Sequence, residues 1–244
     1  MRDIEKYEKD YNVPNFEDYQ LVYRRRKILE SLEKYKPKTI LEIGCGMEPL
    51  FQFWVSSYDT YTVIEPGEKF YKHALECARY NDKIRCVNDF FGEKSVKNLD
   101  CYDVIICSGL LHEVEEITSF LESIRKVCHS DTIVHFNVPN AKSFHRLLAK
   151  EMGIIKEVYE PSQRNILYQQ NRVFDLETLL NLLQEYHFSC IESGSYFVKP
   201  LTHDQMFQML ENGCIDKTVL DGLWKMTEYM PELGSEIYAN CKIE

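Results

Sequence analysis

The sequence has no run approaching the ~18 consecutive apolar residues of a membrane-spanning helix, and its opening Met1-Arg2-Asp3-Ile4-Glu5-Lys6 is no secretory leader. It has no long basic tract: 29 Lys and Arg stand against 39 Asp and Glu, a formal charge of −10. A chain of that sign is poorly suited to phosphate backbones, which argues against nucleic acid as its main partner. Paired metal-ligand spacing is missing too. The nine cysteines are scattered with no Cys-x-x-Cys, and the seven histidines show no ligand pattern, so no metal site is expected. Thiols inside apolar runs, such as Cys107 after Val104-Ile105-Ile106, read as buried and free in a reducing compartment. The expectation is a soluble cytoplasmic protein with neither a membrane nor a nucleic-acid partner.

What is present suits a sizeable core within one domain: 244 residues, 44% hydrophobic and 28% charged. Residues 1–36 form an N-terminal segment. Within it, Tyr19, Val22, Tyr23, Ile28, Leu29 and Leu32 keep a helical period from Phe16 to Tyr35, and Pro37 ends the helix. Arg24-Arg25-Arg26-Lys27 reads there as a solvated face with acidic neighbours, the alternative being a contact to an anionic ligand. Short apolar runs then alternate with amphipathic stretches. Strands are expected at Thr39–Ile43, Thr60–Ile64, Lys83–Val87, Asp103–Cys107 and Thr132–Val138, with helices at 49–56, 68–80 and 117–127. Such Ile- and Val-rich strands spaced by helices specify an α/β fold, a doubly wound parallel sheet covered on both faces. Right-handed crossovers put the strand C-termini on one edge, where a ligand binds.

The rhythm breaks over residues 139–172, a length typical of a lid or binding loop, with one helix from Ser143 to Met152. Asp175 then caps a helix to Tyr186, a strand or strand pair covers Phe188–Val198, a helical insertion spans 203–229, and a last strand runs Glu236–Ile243. The helical insertion is a candidate homodimer interface.

The strongest chemical signal is Ile40-Leu41-Glu42-Ile43-Gly44-Cys45-Gly46, a strand running into two glycines, which let a ligand lie against the backbone. Glu65 closes the second strand about 20 residues later, where an acid can accept both ribose hydroxyls. Asn88-Asp89-Phe90 follows the third strand and suits a purine's amino group and face; Ser108-Gly109 follows the fourth. A dinucleotide fold calls for a third glycine, but Pro49 stands there, preceded by Glu48, whose carboxylate would repel a pyrophosphate. The site is better suited to a nucleoside whose tail is cationic, and S-adenosyl-L-methionine has that description.

Together, Glu42-x-Gly44-x-Gly46, Glu65, Asp89 and Ser108 to Val114 resemble the class I S-adenosylmethionine-dependent methyltransferases. The resemblance implies a Rossmann-like sheet of seven strands with the last antiparallel. It also implies methionine-moiety contacts from the Glu42, Gly44, Cys45 and Gly46 loop, ribose bonding by Glu65, and adenine contacts from Asn88, Asp89 and Phe90. Many members carry a glycine where this chain has Glu48, which would either meet the amino-acid tail or face solvent. Leu110-Leu111-His112-Glu113-Val114 resembles the segment over the transfer centre of small-molecule methyltransferases, making His112 a candidate general base; histidine titrates near ~6.5.

For the acceptor, Asn140, His145, Arg146, Tyr159, Arg164, Tyr168 and Arg172 fall in the lid stretch. Arginine forks suit carboxylate and phosphate, and tyrosines can stack on a ring. His145 is the second candidate base. The stretch holds six basic residues against three acidic ones, a local +3 on an acidic chain. With Gly194-Ser195-Tyr196-Phe197-Val198-Lys199-Pro200 it resembles bacterial methyltransferases of cell-surface polysaccharide clusters. That likeness implies an O-methyltransferase for a small anionic acceptor, a sugar nucleotide or a phosphoramidate-type capsule precursor, with S-adenosyl-L-homocysteine as product. The alternatives are a non-catalytic scaffold of this fold, and an enzyme of ubiquinone-precursor or N-methyltransferase type.

Overall fold

The computed structural model describes residues 14–167 and 170–244, together with Ile4; the side chains of residues 163 and 164 lie outside that description. The described elements, in chain order, are α1 (Glu17–Tyr35), β1 (Thr39–Ile43), β2 (Thr60–Ile64), α2 (Glu68–Ala78), β3 (Ile84–Val87), β4 (Tyr102–Ser108) and α3 (Ile117–Lys126). Then follow β5 (Cys128–Pro139), α4 (Phe144–Glu151), α5 (Gln163–Leu167), α6 (Leu176–Glu185), β6 (Phe188–Tyr196), α7 (His203–Glu211), α8 (Lys217–Lys225) and β7 (Glu236–Ile243).

The seven strands form one sheet in the order β3-β2-β1-β4-β5-β7-β6. All run parallel except β7, which is antiparallel to both β5 and β6. Alternating residues of each strand serve opposite faces. On one face Leu41, Ile105, Val134 and Phe136 meet Leu121 and Ile124 of α3 and Leu179 and Leu183 of α6. On the other, Ile40, Tyr61, Val63 and Ile106 meet Ile28 and Leu32 of α1. Each such buried aliphatic side chain is worth roughly 1.5–3 kcal/mol. A third cluster, including Phe16, Tyr23, Phe197 and Trp224, joins α1 to the end of β6 and to α7 and α8. Asp175 caps α6 as expected, accepting from Thr178 N at 2.8 Å, with the Thr178 hydroxyl completing a capping box.

Two expectations are corrected. The helix at 49–56 is only a 3-10 turn, Leu50–Gln52. The Leu50 amide goes to the Glu42 carboxylate, and Phe53 N closes on Leu50 O at 2.9 Å. β5 starts at Cys128 rather than Thr132, because its polar opening is absorbed by an irregular register against β4 and a bond from His129 N to Thr132 Oγ1. Among the described residues, no helix is long and apolar enough to cross a membrane.

Candidate active site

The C-terminal ends of β1, β2, β3 and β4 share one edge, and each delivers its expected group there. At β1, Gly44 and Gly46 hold φ of 72° and 57°, in the left-handed region that favours glycine. A Cβ on Gly44 would stand 3.1 Å from Leu110 Cδ2. This bare backbone is a cradle that any side chain would narrow. At β2, the buried Glu65 accepts from Gly46 N on Oε2 (3.1 Å) and from Gly67 N on Oε1 (2.8 Å). Burial raises its pKa while those backbone bonds oppose the rise. Each oxygen retains a lone pair, so a diol can still be accepted. Asn88 braces the same turn, donating to Glu65 O at 3.0 Å. Asp89 Oδ1 takes the Phe90 amide, and the Phe90 ring stands 48% exposed at the edge. These features fit an adenosyl group.

Glu42 lies deeper. It accepts from Tyr61 Oη at 2.8 Å and from Leu50 N, and burial pushes its pKa up to about 7. It holds the chain just after the glycine loop, at Leu50, against Tyr61 of β2. Burial drives the Cys45 thiol far above its ordinary value, so it is no nucleophile. Glu48 is half-exposed, and it pairs with Arg25, whose guanidinium lies 3.5 Å over the Phe53 ring. The glycine loop is thereby fastened to α1. At β4, the Ser108 hydroxyl donates to Asn137 Oδ1 at 3.0 Å, which also takes Gly109 N at 2.7 Å.

His112 is buried just beyond β4, with Nε2 3.6 Å from Glu113 Oε1. The far end of the lid clasps this segment. Asn171 N and Arg172 N donate to His112 O at 2.7 and 3.2 Å, and Asn171 Nδ2 donates to Glu113 O at 3.0 Å. The Arg172 guanidinium donates to the carbonyls of Val114 and Glu115.

The acceptor residues expected from sequence divide sharply. Arg146 donates to Val158 O (3.0 Å from Nε) and Glu160 O (2.6 Å), holding the lid's descending chain. Asn140 gives both amide hydrogens to Glu232 O and Gly234 O, joining β5 to the loop before β7. Tyr159 donates to Asp175 Oδ2 at 2.8 Å. Arg146, Arg172 and Asn140, expected to bind the acceptor, thus each donate to backbone carbonyls in the fold. The Arg164 side chain and Tyr168 lie outside the described residues. His145 sits in the first turn of α4 with its Nδ1 buried and unbonded; burial, then Lys199, His203 and Arg146, hold its pKa well below the usual histidine range.

Sequence reasoning missed a buried polar chain beside these groups. Asn137 Nδ2 donates to Tyr196 Oη at 3.0 Å, and that hydroxyl donates to Glu236, which also accepts from Gln20 and Arg24. The Arg24–Lys27 run keeps acidic neighbours but is solvated only in part. Arg24, 17% exposed, pairs with Glu17 and Glu236, while Arg26, 47% exposed, lies over the Trp224 ring and Lys27 over the Tyr238 ring. The one signal available was a carboxylate, Glu236, opening a strand whose next three residues, Ile237-Tyr238-Ala239, are apolar.

Comparison with known proteins decides the class. A description of the methyltransferase domain matches residues 16–193. The chain belongs to the methyltransferase domain family. Several solved methyltransferases share its fold at low identity. One is the N-methyltransferase NodS from Bradyrhizobium japonicum, with 12% identity, 93% of this chain and 96% of that one covered, and a TM-score of 0.56. Another is the S-adenosylmethionine-dependent methyltransferase from Mesorhizobium loti (14%, 90% and 97%, 0.58). A third is the 1,6-didemethyltoxoflavin-N1-methyltransferase from Burkholderia thailandensis (14%, 98% and 88%, 0.59). Its structure, and a second structure of NodS, contain S-adenosylhomocysteine, in agreement with S-adenosylmethionine as the methyl donor of this methyltransferase. The search of curated proteins gave no match. Among the described residues of the methyltransferase, no group of three or more His, Cys, Asp or Glu is placed to hold a metal ion.

Proposed function

We propose that this methyltransferase acts on an oxygen atom of a small, polar, anionic acceptor, of the class of sugar nucleotides or phosphoramidate-type capsule precursors. The observation that carries the reading is the buried His112–Glu113 pair, set at the end of β4 by the clasp from the lid. S-adenosylmethionine supplies a sulfonium-activated methyl group for in-line displacement. Gly44 and Gly46 receive its amino-acid end, Glu65 its ribose, and Asp89 with Phe90 its adenine. A hydroxyl acceptor must lose a proton as it attacks. His112 takes that proton, and Glu113 stabilises the resulting imidazolium. The lid excludes water, and alignment of the two reactants supplies several kcal/mol, roughly 7–11 at best.

The test is turnover of a His112→Ala variant together with its affinity for S-adenosylhomocysteine. Loss of kcat by about 10²–10⁴-fold with unchanged affinity supports the base; near-normal turnover overturns it. An amine acceptor is the second reading, favoured by the two N-methyltransferases among the fold neighbours. Carbon-13 spectra of a product labelled in the transferred methyl separate an O-methyl from an N-methyl group.

A further inference from the structure

We propose that Cys190 and Cys241 form a redox-active thiol pair, which a small disulfide of the oxidised-glutathione class converts into a cross-strand bridge between β6 and β7. The inference is independent of which acceptor the methyltransferase takes.

All nine cysteines are free thiols, and Cys190 of β6 is the register partner of Cys241 of β7 in the antiparallel ladder. Directly opposite residues of such a pair share a face, with Cα atoms about 4.5–5.5 Å apart. A disulfide needs roughly 4.4–6.8 Å, so side-chain rotation alone can close the bridge while the strands stay in place. The Cys190 thiol now donates to Glu192 O at 3.4 Å, across the irregular step in register that follows it. Burial, and then contact with the Cys190 thiol, hold the Cys241 pKa far above its usual range. Each sulfur is thus within reach of the other. Cys101, by contrast, meets Cys128 at its carbonyl oxygen (3.5 Å), because Tyr102 rather than Cys101 is the register partner of Cys128.

Exposure sets the order of events. Cys190 is exposed and Cys241 is buried, so Cys190 meets the oxidant first. Its thiolate attacks one sulfur of the small disulfide, whose other half leaves as a thiol with the Cys190 proton, and Cys190 becomes a mixed disulfide. Cys241 then gives up its proton and attacks the Cys190 sulfur. The mixed S–S bond breaks, and the second small thiol departs with that proton. In all, the two cysteines lose two electrons and two protons, and the small disulfide is reduced to two thiols. The second exchange is the slower, since burial opposes ionisation of Cys241. The bridge closes the chain from Ile191 to Asn240, with α7 and α8, into a loop, which restricts the unfolded chain. It also fastens β6, the outermost strand on that side of the sheet, to its one neighbour.

The experiment equilibrates the full chain with mixtures of reduced and oxidised glutathione, quenches with an alkylating agent and maps unreduced peptides by mass. We expect a peptide joining Cys190 to Cys241 within one molecule, undone by dithiothreitol, and a Tm about 5–10 °C above that of the dithiol form. Cys190→Ser, a substitution at an exposed position, should lose both the joined peptide and the rise in Tm. A stable glutathione adduct on Cys190, with Cys241 still open to alkylation after unfolding, overturns the pair. So does preferential joining of any other two cysteines, or no joined peptide at any glutathione ratio. A joined peptide with no rise in Tm rejects the fastening of β6.

Discussion

Arg24, in the middle of α1, donates through Nε to Glu236 Oε2 at 2.9 Å, tying the N-terminal helix to the first residue of the last strand. Glu236 is fully buried and also accepts from Tyr196 and Gln20, so the pair is one knot in a polar chain reaching Ser108.

Removing one member of such a pair strands the other charge. Arg24→Met is expected to cost about 3–5 kcal/mol of stability in urea denaturation. The double variant Arg24→Met with Glu236→Leu should recover much of that loss. A single variant within about 0.5 kcal/mol of wild type would show that the pair carries no weight.

Glu42 makes stability depend on pH in the neutral range. Its folded pKa of about 7 lies above its ordinary 4.5, so the folded protein binds more protons between those values. The associated stability is complete below pH 4.5 and is lost as pH rises through about 7, by about 3 kcal/mol at the limit. Glu42→Gln should flatten this slope, melting higher than wild type at pH 8. Parallel melting profiles for the two proteins would refute the assignment.

His135 acts with the opposite sign. It is buried in β5, its Nδ1 facing Asn240 Oδ1 at 2.7 Å, while Nε2 has no hydrogen-bond partner. Burial lowers its pKa from 6.5 to about 4. The neutral ring's contribution is full above pH 6.5 and is lost as pH falls through about 4, again by about 3 kcal/mol. Replacing His135 with Gln should weaken the acid limb of the denaturation profile; an unchanged limb sinks the prediction.

Gly44→Ala probes the cradle directly. Left-handed backbone costs an L-residue about 1–2 kcal/mol, and the new methyl must displace Leu110 from a 3.1 Å approach. We expect that loss in stability and about a 10-fold weaker grip on S-adenosylhomocysteine. Wild-type affinity would place the ligand elsewhere.

Much of this fold was legible because its signals are local. Thr39–Ile43, Thr60–Ile64 and Glu236–Ile243 are short, mainly apolar or β-branched stretches with clear breaks, and the observed strands keep those bounds. The glycines of β1 and the Glu65 carboxylate stood out because a ligand-facing turn needs those residue types at that spacing. What stayed hidden was set by distant partners. Arg24 looked like one charge in a solvated run because its carboxylate, Glu236, lies 212 residues away. Arg146, Arg172 and Asn140 have ligand-binding chemistry, but three-dimensional proximity gives them carbonyls as neighbours. The burial of Lys199 likewise depends on the packing around the end of β6 and cannot be read from a chain.

The lid clasp on His112 has a consequence for how such enzymes diversify. The segment that screens the acceptor and the residue that would deprotonate it share a carbonyl, His112 O. A new acceptor preference cannot be grafted here by exchanging the lid as a cassette, because a loop of another length would drag the imidazole with it. If His112 and the lid act as proposed, selectivity and rate would be coupled through two backbone hydrogen bonds.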